Sequence, residues 1–86
     1  MPRLSEFYGI AVYMYFADHH PPHFHAIYGS NEAAIAIETG EVLAGNLPRR
    51  ARKLLVESIA LHRDELLDDW RRATNGETLI PIPPLD

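Results

Sequence analysis

The chain has 86 residues, 47% of them hydrophobic and 23% charged, with a formal net charge of −4. That composition suits one small globular domain spanning residues 1–86 and excludes an intrinsically disordered chain. The lack of cysteine excludes disulfides and thiolate metal sites, and the chain has neither an apolar run long enough for a membrane span nor the order of a signal peptide, so a cytosolic protein without membrane contact is expected.

Residues 8–16, Tyr-Gly-Ile-Ala-Val-Tyr-Met-Tyr-Phe, are aromatic and β-branched, which predicts a first strand. Asp18 to Pro22 is turn chemistry, because the two prolines fix φ and donate no ladder hydrogen bond. Residues 23–28 predict a second strand that ends at Gly29-Ser30-Asn31. Residues 33–38 predict a third, closed by Thr39-Gly40, and residues 41–44 a short fourth. Turn signals recur about every ten residues, so the economical topology is an antiparallel meander. From Pro48 the apolar period changes to that of a helix. Ala51, Leu55, Ile59, His62, Leu66 and Trp70 form one stripe, which Leu54 and Leu61 widen. Pro48 suits the first turn, Asn46 is a candidate cap, and Asn75-Gly76 is a stop, giving a helix over residues 48–74. The tail, residues 77–86, is too rich in proline for a central strand and fits a sheet edge. The expected fold is α+β: a four-stranded, mainly antiparallel meander with one long C-terminal helix on one face.

Strand alternation then sorts the side chains. Ile10, Val12, Met14 and Phe16 take one face, joined by Phe24, Ala26, Ile35 and Ile37, so the opposite face displays Tyr13, Tyr15, His23, His25, Ile27 and Glu38. The register that aligns the apolar positions sets His25 opposite Tyr15 and His23 opposite Glu38. Such a face suits either function or a homodimer contact.

Four of the five histidines fall between His19 and His25. Imidazole titrates near neutrality, binds transition metals and moves protons, so three readings compete with a structural one, in which the imidazoles only bind loop carbonyls. As a metal site, His23 and His25 project together and His20 or Asp18 reaches over from the turn, a nitrogen and oxygen set suited to a divalent metal such as zinc. As a metal-independent ribonuclease, His23 and His25 carry protons, Tyr15 assists and Arg50 or a neighbouring guanidinium holds phosphate, with no cofactor. As a binding module, the Tyr/His face contacts a partner while Arg49, Arg50, Arg52 and Lys53 meet an anion, which would offset the unfavourable cations at a helix start. The net negative charge argues against bulk binding to nucleic acid, but four of the eight basic residues are concentrated in five positions, 49–53. His62 and Trp70 are expected in the core, and Asp64 to Asp69 on a solvated helix face.

The motifs Tyr8-Gly9, Pro21 to His25, Tyr28-Gly29, Ile37 to Glu41, Leu47 to Arg50 and Leu61 to Trp70 together resemble a family of short prokaryotic proteins classed as a domain of unknown function. The resemblance covers about residues 1–72 and carries over Pro22, His23, Phe24, His25 and Arg50, with Glu38 in the matched turn. Members of that family resemble one half of a two-gene cassette. The resemblance therefore implies a toxin–antitoxin-type pair, a small partner protein encoded nearby, and contact with that partner or with RNA or DNA. The expected function is a small interaction protein of that kind, with the ribonuclease and divalent-metal readings as alternatives.

Overall fold

Two adjacent residues with positive φ, Tyr8 at 49° and Gly9 at 80°, turn the start of the strand expected over residues 8–16 into the tip of a hairpin, whose first arm precedes that strand and whose second arm is its shortened remainder. Positive φ at both central positions is what a type I′ two-residue turn requires, and its twist matches that of the flanking strands. A computed structural model describes residues 2–85 of the chain. Strands β1 (Arg3–Phe7) and β2 (Ile10–Tyr13) flank the turn, followed by β3 (His23–Tyr28), β4 (Asn31–Ala36) and β5 (Val42–Gly45) and by helix α1 (Arg49–Thr74). The strands pair antiparallel in sequence order. The fold is thus α+β, with an antiparallel sheet and one C-terminal helix, but the sheet has five strands rather than four. The added strand is β1. Its register shifts between Arg3 and Ser5, so Leu4, Ser5 and Phe7 are all buried and no strict alternation marks it in the sequence.

One face of the sheet meets the helix. Ile10, Val12 and Met14, then Phe24 and Ala26, then Ala33, Ile35 and Ile37 form the core with Ala51, Leu55, Ile59, Leu66, Trp70 and Ala73. Phe16, expected on that face, is 48% exposed because β2 has ended at Tyr13. The partners across strands also differ from expectation. His25 lies opposite Tyr13 and Ala34, and His23 opposite Ala36, a displacement of two residues on each side. A two-residue shift preserves the face of every side chain, so apolar patterning alone could not detect it. Glu38 consequently falls in the turn after β4, exposed to solvent.

The helix starts without a side-chain cap: Pro48 occupies the cap position, and the Asn46 N–H donates to the Glu32 carbonyl instead (3.1 Å). It ends as expected, at Asn75 and a positive-φ Gly76. Its apolar stripe is as read, except that Leu61 is 68% exposed and His62, expected in the core, is only partly buried. His62 leaves helical dihedrals (φ −129°, ψ 24°), where its Nδ1 donates to Glu65 Oε1 (2.8 Å). Beyond this bend the helix is tied to the sheet by Arg63 Nε donating to the Ile37 carbonyl (3.4 Å).

Asp69 departs most from expectation: placed on a solvated face by its acidic neighbours, it is fully buried. Its Oδ1 accepts the Ile80 N–H (2.8 Å), and the Ile82 N–H donates to the Leu4 carbonyl (2.7 Å). The proline-rich tail therefore runs beside β1 and covers that edge of the sheet, with Ile82 buried; residue 86 lies outside the described residues. No helix of the described residues is long and apolar enough to cross a membrane.

Candidate metal centre

After Tyr13 the chain leaves the sheet for a nine-residue loop and returns at His23. The loop is held at both ends. The Ala17 N–H donates to the Ala73 carbonyl at the helix end (3.2 Å), and the Ile37 N–H donates to the Pro22 carbonyl (3.0 Å). Between these anchors Asp18 is folded back over the start of β3, with its Oδ1 accepting the His19 N–H (2.8 Å). Residues two apart on a strand share a face, so His23 and His25 point to the same side. Asp18 Oδ2 lies 3.0 Å from His23 Nε2 and 3.3 Å from His25 Nε2. One donor atom from each of the three residues falls within 4.8 Å of the others.

The hydrogen bonding restricts the protons. His23 Nδ1 is 2.7 Å from the Pro21 carbonyl oxygen, which can only accept, so Nδ1 carries a hydrogen. The neutral ring then turns the lone pair of Nε2 toward an ionised carboxylate, two acceptors face to face. Only two arrangements remove that conflict: a second proton on His23, or a cation between nitrogen and oxygen. A backbone carbonyl that takes the other ring N–H is also one of the usual supports of a metal-ligating histidine.

Asp18 is ionised. Burial raises its carboxyl, but the His19 N–H, the hydrogen bond from His25 and the proximity of His23 outweigh it and leave the group below the usual aspartate range. Around the trio, the Trp70 ring lies 5.1 Å from His23 and the Tyr15 ring meets His25 edge-on at 4.4 Å. His23 is buried, while Asp18 and His25 are half-buried. The cluster is thus walled by aromatic rings and open on one side.

Several of the expected residues converge here and others do not. His23 and His25 are central, Tyr15 is adjacent, and Tyr13 sits beside His25 on the neighbouring strand. Asp18, one of two turn residues expected to reach over, supplies the third donor. The other, His20, packs against Trp70 instead (5.7 Å). Glu38 forms no hydrogen bond to His23; Asp18 occupies that role. Arg49, Arg50, Arg52 and Lys53 are exposed at the helix start, and Arg50 is separated from Trp70 by roughly 30 Å of helical path. Three of these cations line a different feature, a groove of about 660 Å³ beside Gly40, Glu41, Val42 and Val56. Asp69 escaped the sequence reading because its neighbours Asp64, Glu65 and Asp68 suggest solvent. Its place next to Trp70 on the stripe was the available signal.

No curated protein and no solved structure matches the chain. A family model described as Domain of unknown function (DUF4160) matches residues 9–71, well over half the length, and the resemblance read from the motifs holds at that level. The matched segment contains the loop, all three converging donors and nearly the whole helix, and the chain belongs to the DUF4160 family.

Proposed function

We propose that the chain binds a divalent cation, zinc or an ion of similar preference, through Asp18, His23 and His25. The observation that carries this reading is the convergence of Asp18 Oδ2, His23 Nε2 and His25 Nε2, with His23 Nδ1 already committed to a carbonyl. Zinc–nitrogen and zinc–oxygen bonds of about 2.0–2.2 Å imply donor separations of roughly 3.3 Å around a tetrahedron. The separations of 3.0 and 3.3 Å from Asp18 Oδ2 to the two imidazole nitrogens match this, and the two nitrogens lie within 4.8 Å of each other. Two imidazoles and one carboxylate suit zinc or another first-row divalent ion. Three protein ligands leave a coordination position for water or a ligand, as at metal centres that do chemistry.

Calorimetric titration with zinc tests the proposal. Binding with one ion per chain is expected, lost in Asp18→Asn, His23→Ala and His25→Ala and kept in His20→Ala. Loss in His20→Ala with retention in Asp18→Asn would replace this trio with the histidine-only set.

A second reading has its own support: a small interaction protein of a toxin–antitoxin-type pair, binding a partner protein or RNA. Tyr15, edge-on to His25, and Phe16, next to it in the chain, are exposed, and the helix-start cations form no ion pair among the described residues. On that reading, the double variant His23→Ala/His25→Ala loses partner or RNA binding at unchanged melting temperature. RNA cleavage that persists in excess chelator would favour a metal-independent ribonuclease over both.

A further inference from the structure

The two edges of the sheet are treated differently. Along β1 the chain's own tail lies as an extended segment, bonded through the Ile82 N–H to the Leu4 carbonyl and burying Ile82. Along β5 nothing comparable is present among the described residues. All four residues from Val42 to Gly45 are exposed, and an uncovered edge offers backbone donors and acceptors to another strand. Beside it runs the groove of about 660 Å³, with Val42 and Val56 as its apolar lining and Arg49, Arg52 and Lys53 as its cations, against one acid, Glu41. Val42 and Val56 are 37% and 50% exposed, and Leu43 is 43% exposed.

We infer that β5 and this groove dock an extended, acidic segment of a partner protein by strand addition, independently of the cation site. Strand addition supplies affinity through main-chain hydrogen bonds and specificity through alternate side chains. Here the side chains on one face of the incoming segment, two residues apart, would meet both the valines and the three cations, so groove-facing positions that combine aliphatic and acidic residues fit. Charge also selects against self-association through this edge. A two-fold pairing of β5 with its copy would bring both helix starts, each with Arg49, Arg52 and Lys53, toward the same axis. The register irregularity between β4 and β5 confines the ladder to a few residues, so the charge contacts must contribute much of the affinity.

The test uses the intact chain and two extended peptides whose every second residue, the groove-facing set, alternates valine with glutamate in one and valine with lysine in the other, the remaining positions being threonine. Backbone NMR should show saturable shifts at Val42 to Gly45 with the glutamate peptide and none with the lysine peptide. The triple variant Arg49→Glu/Arg52→Glu/Lys53→Glu alters only exposed side chains. It should bind the glutamate peptide about tenfold or more weakly and accept the lysine peptide in its place. Equal binding of both peptides, or shifts confined to another surface, would overturn the inference. So would preference for a short RNA over the peptide with no shift in β5, which would make the groove a phosphate site, or concentration-dependent dimerisation through β5.

Discussion

A single hydrogen bond decides how the candidate site is read. Because the Pro21 carbonyl holds the Nδ1 hydrogen of His23, Nε2 of the same ring is left to face Asp18, and the trio must hold either an extra proton or a cation. Spacing alone placed His23 and His25 together, since residues two apart on a strand share a face. It did not choose between Asp18 and His20 as the third donor, because that depends on how the loop folds back, and loop geometry has no period to read. Asp69 presents the opposite problem, a carboxylate whose burial is visible only in the fold. Burial raises its pKa, with the Ile80 N–H working against this and Asp68 adding to it. A carboxyl raised on folding carries no penalty below its unfolded pKa and the full penalty above its folded one. Asp69→Asn keeps an acceptor for Ile80 while removing the charge. The stability of the variant relative to the native chain should therefore improve as pH rises from about 4 to 7. A melting-temperature difference independent of pH would show that Asp69 ionises as readily folded as unfolded.

At the level of elements, the helix was the most legible and β1 the least. The helix follows a 3.6-residue apolar stripe, and of the residues read onto it only Leu61 and the neighbouring His62, at the bend, lie outside the core. In β1 the bulge breaks the alternation, and the turn that separates it from β2 places a tyrosine where asparagine or glycine is usual. Tyr8 holds φ at 49°, a region that disfavours residues with a large side chain, and its ring is half exposed. Tyr8→Asn should therefore stabilise the chain by about 0.5–1 kcal/mol, read from chemical denaturation. Destabilisation would mean that the ring contributes packing beyond the strain it relieves. At the other end of the sheet, Gly45 holds φ at 79° and a Cβ there would collide with the Glu32 carbonyl oxygen. Gly45→Ala should accordingly disrupt the pairing of β5 with β4, seen as faster amide exchange in Ala44 and Ala33 than in the rest of the sheet. Unchanged protection would place the strain elsewhere.

Across the whole molecule, the meander order followed from evenly spaced turns, whereas the contacts that close the fold join segments distant in sequence. The tail was expected at an edge on proline content, and its anchor points, Asp69 and Leu4, became visible only in the structure. If the tail is part of the core rather than an appendage, Ile82→Ala should cost about 2–3 kcal/mol, as for other buried aliphatics. A cost under half a kcal/mol in urea unfolding would show that the tail is dispensable. The same closure brings the helix end, with Trp70, against the histidines, so sheet, loop and helix all contribute to one cluster. The cation reading of that cluster is most directly examined by imidazole nitrogen NMR during addition of one equivalent of zinc. Large shifts are expected at Nε2 of His23 and His25, smaller ones at their Nδ1 atoms, and little change at His19, His20 and His62. Shifts confined to His19 and His20, or none at all with zinc in excess, would contradict the cation reading.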